Sequence, residues 1–299
     1  MIETVTGKIK LEELGNTLVH EHIVCSGAEF QAAFPNWRPR EKVLDIAVAK
    51  LKYISENYQV RTIIDGTPLS LGRDLELLKE ASLRSGVQII ASTGFYYYDS
   101  FAVLKQPVEL MAELLLKEIR HGAIRPAMFK CAADAAGITD TVRKSLQTAG
   151  AVYRETGMPV YCHTNSWTRS GIEAQQVLAE AGVAPEKCIF GHVCDSNDIG
   201  YALKLLEIGC FVSLDRICPH NAAFAAELIR AGYEERIFLS HDHICCYDTV
   251  ACDPPAPQNE PHGLDVVHGR IIPEMRQLGV TEEVIGKITT RNIITLYRN

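Results

Sequence analysis

Eight short apolar runs, each followed by a stretch of helical period, set the narrowest limit on what this chain of 299 residues can fold into. The runs fall at 17–22, 61–65, 87–91, 127–131, 159–163, 187–192, 210–215 and 236–242. Between the first two, Glu41 to Tyr58 reads as a helix, with Val43, Leu44, Ile46, Ala47, Leu51 and Ile54 near helical period. Further helices are expected at 73–84, 107–120, 141–155, 171–181, 198–208 and 222–231, and a last helical region, 264–298, in two pieces. Phe34 to Arg40 and the stretch through Pro254-Pro255-Ala256-Pro257 read as loops. Strands that alternate with helices pair in parallel, since each helix returns the chain to the strand's starting end. Eight such units predict an α/β fold, a (β/α)8 TIM barrel, with an open doubly wound sheet as competitor. No linker, repeat or low-complexity tract divides it, so residues 1–299 are expected to form one domain.

The placement of polar residues favours the barrel. His20 and His22, Lys130, His163, His192, Asp215 and Asp242 stand at or near the C-terminal ends of runs one, four, five, six, seven and eight. In a barrel those ends converge on one mouth, where catalytic groups collect; in an open sheet they would be strung along an edge. Within the first run, strand alternation puts His20 and His22 on one face, able to grip one ion. The plain alternative is a pair of hydrogen-bonded strand histidines.

Composition removes other classes of function. A formal charge of −7 and a pI near 5.8 leave no broad basic surface for nucleic acid. No apolar run approaches the length of a membrane span, and the start, Met1 to Gly7, lacks the apolar core of a secretory signal. Several of the ten cysteines fall inside apparent strands (Cys131, Cys162, Cys188, Cys210), where they read as buried free thiols, and a cytoplasmic protein is expected. Cys245-Cys246 lacks the spacing of a structural zinc site.

Four histidines and an aspartate exceed the needs of one tetrahedral ion, and two ions sharing a bridging ligand would use them all. Lys130 is the odd member, because an ammonium offers a metal no lone pair. Three readings remain open for it: a surface residue, a partner for a carboxylate, or a lysine chemically converted to an anion.

His20-Glu21-His22, Lys130 within Met128-Phe129-Lys130-Cys131-Ala132, His163 within Tyr161-Cys162-His163-Thr164, Gly191-His192, and Ser240-His241-Asp242 follow one another here. In order and spacing they resemble the phosphotriesterase family of the amidohydrolase superfamily, nearly end to end. The resemblance implies two divalent metal ions per chain (zinc, manganese, cobalt or iron) and a Lys130 carboxylated on Nζ that bridges them. By the same resemblance His20, His22 and Asp242 hold the buried metal, and His163 and His192 the exposed one. Two further features resemble the lactonase-like branch. Arg216, in Leu214-Asp215-Arg216, stands where organophosphate hydrolases carry histidine, and Tyr96, in Thr93-Gly94-Phe95-Tyr96, matches a tyrosine that faces the reactive hydroxide of lactonases.

The resemblance therefore implies a metal-dependent hydrolase acting on a small-molecule ester, foremost a small lactone, sugar-derived or phosphorylated. A phosphotriesterase or aryl or carboxyl esterase is the alternative activity, and a metal-binding barrel without turnover the alternative without catalysis. Asp242 is expected to serve as ligand and general base, with Tyr96 and Arg216 assisting catalysis. The stretch His243 to Thr249 departs from the Trp-containing acyl-chain channel of the best-known lactonases, which argues against long acyl chains. Trp37, Arg38, Arg40, Tyr98 and Asp195 are the expected substrate contacts. His241 and His243 are expected to support ligands from behind or to lie at the surface. The resemblance also suggests a homodimer.

Overall fold

The computed structural model describes residues 1–34, 39–98, 101–247 and 263–298. All eight apolar runs form strands of one parallel sheet. In chain order they are β3 (Asn16–Cys25), β4 (Val60–Asp65), β5 (Gln88–Gly94), β6 (Met128–Ala133), β7 (Val160–Thr164), β8 (Cys188–Gly191), β9 (Phe211–Leu214) and β10 (Ile237–Leu239). Each pairs in parallel with the next, from β3 and β4 round to β9 and β10. A ninth segment, β11 (His243–Tyr247), pairs in parallel with β3 at the opposite end of this order. It stands where the sequence pattern suggested a loop. β10 and β11 are separated only by Ser240, His241 and Asp242, so they are two halves of one kinked eighth strand. One half continues the sheet from β9 and the other meets β3, which closes the (β/α)8 barrel.

Helices α2 (Arg40–Tyr58), α3 (Leu75–Ser85), α5 (Val108–His121), α6 (Asp140–Thr156), α7 (Ser170–Glu180), α8 (Ile199–Ile208) and α9 (Asn221–Arg230) connect the strands, within a residue or two of expectation. Their starts have local causes. Asp74, Thr139 and Asp198 each cap a helix by accepting a backbone N–H from the first turn. The C-terminal region runs in two pieces parted near Gly279, as expected. Sequence pattern did not reveal the hairpin of β1 (Ile2–Thr4) and β2 (Gly7–Ile9), nor the short helices α1 (Ala28–Ala33) and α4 (Phe101–Lys105). Segments of three to six residues are too short to display a period.

Two packing layers follow from strand alternation. One large cluster joins the outward side chains of the strands to the helices. A second fills the barrel interior, with Val19, Ile64, Ile90, Met128, Tyr161, Ile189, Phe211 and Phe238 contributed by successive strands. β3 needs an irregularity to join it. Leu18 pairs with Ile63 and Glu21 with Asp65, so three steps on β3 face two on β4. This bulge leaves Leu18 in the outer cluster, sends Val19 inward, and still turns His20 and His22 towards the mouth. The histidines therefore lie within a ten-residue strand that runs on to Cys25, rather than at its end. Cys131, Cys162, Cys188 and Cys210 are buried free thiols. Among the described residues no helix is long and apolar enough to cross a membrane.

Candidate active site

The barrel mouth draws together His20, His22, Lys130, His163, His192 and Asp242. All are buried except the Asp242 side chain, which keeps 18 % of its surface open. Three of the four imidazoles are fixed by a hydrogen bond through the nitrogen that faces away from the cluster. His20 Nδ1 donates to Asp215 Oδ2 at 2.7 Å. His22 Nδ1 donates to Thr67 Oγ1 at 2.8 Å, since the Thr67 hydroxyl proton is turned to the Val24 carbonyl. His163 Nε2 donates to Asp134 Oδ2 at 3.1 Å. His192 Nδ1 lies 2.9 Å from Asp215 Oδ1, though out of line for a hydrogen bond. The partners of His20, His22 and His163 turn the other ring nitrogen inward as a lone-pair donor, the arrangement that orients metal-binding histidines.

Asp242 completes the inner half. Its Oδ1 lies 3.4 Å from His20 Nε2 and 3.2 Å from His22 Nε2. Ligand atoms around a tetrahedral ion with bonds of roughly 2.0–2.2 Å sit about 3.3–3.6 Å apart. Both distances from Asp242 are near that spacing. Ligand atoms of His20, His192 and Asp242 also fall within 4.8 Å of one another. On the outer half, His192 Nε2 donates to His163 Nδ1 at 2.7 Å. The surrounding histidines hold the Asp242 carboxyl well below the usual carboxylate range, against the opposing effect of burial.

Backbone strain accompanies two of these cluster positions. His192 and Asp242 adopt left-handed conformations, φ 64° and 54°, each costing about 1–2 kcal/mol for a side-chain-bearing residue. Close packing makes room for the rings elsewhere. A Cβ at Gly66 would fall 2.6 Å from His20 Cδ2, so any larger residue there would push the histidine pair out of place.

Lys130 is 1 % exposed, which removes the surface reading. Its Nζ donates to His20 Nε2 and lies 4.3 Å from the centre of the Tyr161 ring. Burial pushes the amine down to about 8, against the pull of Asp242 and Asp215. Asp215 is fully buried and anchors the cluster from beneath. It binds His20 Nδ1, accepts the His192 backbone N–H at 2.7 Å, and takes the Tyr161 hydroxyl proton in a further hydrogen bond. The sequence placed Asp215 at the mouth without assigning it this task. Asp134 and Thr67 carried no sequence signal beyond their position just past strand ends.

The predicted assisting residues surround this cluster. Tyr96 Oη lies 3.2 Å from His163 Nδ1, and burial raises its phenol far enough that it remains a donor. Arg216 bridges two carboxylates, with Nη1 2.8 Å from Asp195 Oδ2 and Nε 3.3 Å from Asp242 Oδ2. Tyr98, largely exposed, packs beside Tyr96 and Tyr97. Arg40 pairs with Asp74 at the start of α3, 2.9 Å away. Trp37 and Arg38 lie outside the described residues. His241 and His243 are buried, each engaged behind the cluster: His241 binds Glu21, and His243 accepts from Lys50 Nζ at 2.8 Å. The surface alternative for them falls away.

The sequence model of the phosphotriesterase family matches residues 1–296. The chain belongs to that family. It is 31% identical to the aryldialkylphosphatase of Saccharolobus solfataricus, over 95% of each chain. A phosphotriesterase homology protein of Mycobacterium tuberculosis is 30% identical, over 97% of this chain and 95% of its own length. The N-acetyltaurine hydrolase of Danio rerio is 25% identical, over 97% of this chain and 96% of its own. Phosphotriesterase-family proteins are metal-dependent hydrolases, and among the described residues of this member His20, His192 and Asp242 are placed so that they could hold a metal ion.

Proposed function

We propose that this phosphotriesterase-family hydrolase opens a small lactone, sugar-derived or phosphorylated, at a binuclear centre held by His20, His22, His163, His192, Asp242 and a carboxylated Lys130. The observation that carries the reading is the pairing of Tyr96 with His163 and of Arg216 with Asp242. These are the two features that resemble the lactonase-like branch, and both touch the ligand cluster. When bound, two divalent ions would polarise the ester carbonyl and acidify a water towards neutrality.

The protein's own groups divide the remaining tasks. Asp242 stays ionised at neutral pH, so its carboxylate is available to take a proton and return it to the leaving alkoxide. The Tyr96 hydroxyl, held protonated, offers a hydrogen bond to a carbonyl or ring oxygen entering above His163. Arg216 keeps Asp242 in place through Nε, and the 42 % of its side chain left open offers guanidinium donors to an anionic substituent on the lactone. The lowered amine of Lys130 leaves roughly one-tenth of it neutral at pH 7, the form that adds CO2, losing one proton to give a carbamate.

Elemental analysis per chain, paired with a lactone panel followed by proton release, tests the reading. Expected are two metals and a kcat/KM for the best lactone at least about tenfold above that for paraoxon. A preference for paraoxon would make the chain a phosphotriesterase like its Saccharolobus relative in name. One metal or none, with a silent panel after growth in metal-replete medium, would leave a binding barrel without turnover.

A further inference from the structure

We infer that Glu21, the residue between the two ligand histidines, is a positioning residue that sets Asp242 from behind the barrel wall. The inference rests on Asp242 being a metal ligand. Glu21 points away from the mouth into the seam where β3 meets the kinked eighth strand, and it is 1 % exposed. Its Oε1 accepts from Ser240 Oγ at 2.7 Å, from His241 Nδ1 at 2.7 Å and from the His241 backbone N–H at 2.9 Å. Its Oε2 accepts from the His243 backbone N–H at 3.0 Å. Between these, the Asp242 N–H donates to the His20 carbonyl at 3.0 Å.

The backbone donors on both sides of Asp242 thus end on one buried side chain, in a stretch where the strand ladder is broken and φ turns left-handed. The Ser240 and Asp242 N–H groups reach the Leu214 and His20 carbonyls of the flanking strands, and Glu21 takes the His241 N–H between them. Ser240 Oγ also accepts the His20 backbone N–H at 2.9 Å, so the same link ties a ligand histidine to the kink. His241 cannot turn its proton elsewhere, because its Nε2 accepts from the Val267 N–H at 3.0 Å. Four donors converge on Glu21, and only a carboxylate presents acceptors at both ends and no donor. A glutamine of the same shape must set its amide N–H against one of them.

Glu21→Gln and Asp242→Asn, compared for metal affinity by chelator competition, for amide exchange and for turnover, test the role. Glu21→Gln is expected to weaken the metal about 10–100-fold. The His241 and His243 amides should exchange at least about tenfold faster in the metal-free protein. kcat should fall with KM within about twofold, because the substrate contacts at the mouth are untouched. Wild-type affinity and exchange in Glu21→Gln, alongside a loss in Asp242→Asn, would overturn the positioning role alone. So would a lowered melting temperature with affinity and kcat unchanged. Wild-type affinity in Asp242→Asn would overturn the metal-centre reading and this inference with it. Should Glu21→Gln fail to fold, Ser240→Ala removes one of the four donors; it is expected to weaken the metal about three- to tenfold, and no change would overturn the inference.

Discussion

The inner wall of the mouth and its rim are built on different principles. The wall groups, His20, His22, Lys130, His163 and His192, project from strands or the residue just past them, and His20, His22 and His163 are each oriented by a hydrogen-bonded partner behind the ring. The rim groups, Tyr96, Tyr98, Asp195 and Arg216, ride on loops, and the Arg216 side chain keeps 42 % of its surface open while Asp215 beside it keeps none. Strands locked by ladder bonds and core packing hold donors at the spacing an ion demands, which loops do not do as well. The rim is where a family with one metal chemistry changes substrate. The relatives, named for an aryldialkylphosphate-type activity and for N-acetyltaurine hydrolysis, are consistent with that division.

The sharpest break between the two regions should come from Asp215→Asn. The amide loses one of the acceptors that now serve His20, the His192 backbone and Tyr161. Metal affinity should fall about 10–100-fold by chelator competition, although residue 215 is not itself a proposed ligand. Unchanged affinity would mean that the strand scaffold, not the buried carboxylate, orients the histidines.

Rim substitutions should leave metal content at the wild-type level. Tyr96→Phe removes one hydroxyl donor and is expected to lower lactone kcat/KM about tenfold, or about 1.4 kcal/mol. Arg216→Gln should raise KM by about the same factor for an anionic lactone and less for a neutral one. Loss of metal in either variant would erase the distinction between wall and rim.

The smallest effect concerns the support of the wall rather than its chemistry. His268 in the C-terminal region stacks on Tyr58, bonds Asn16 at the start of β3, and is pushed down to about 3 by burial. Between pH 6.5 and about 3 the unfolded chain binds a proton here that the folded chain refuses. Stability from this residue is therefore complete above pH 6.5 and declines as pH falls through that window, by up to about 1.4 kcal/mol per pH unit. Urea midpoints measured from pH 7 to 5 should decline less steeply in His268→Gln than in the parent chain.

The chain's own pattern determined the eight strands and seven of the connecting helices, because alternation and helical period are local and repeat over many residues. It also determined the order of the polar groups at the mouth, since each falls in or just after the strand of its β/α unit. The tertiary structure alone decided how the barrel closes. Ser240-His241-Asp242 reads as the end of an eighth strand, yet the chain kinks there and resumes as β11 on the far side of β3. It also decided what Asp215, Asp134, Thr67 and Glu21 do. Their partners stand 195, 29, 45 and 219 to 222 residues away in the chain. A hydrogen bond depends on a few tenths of an ångström between groups that only the closed barrel brings together, and no local pattern of residues encodes that distance.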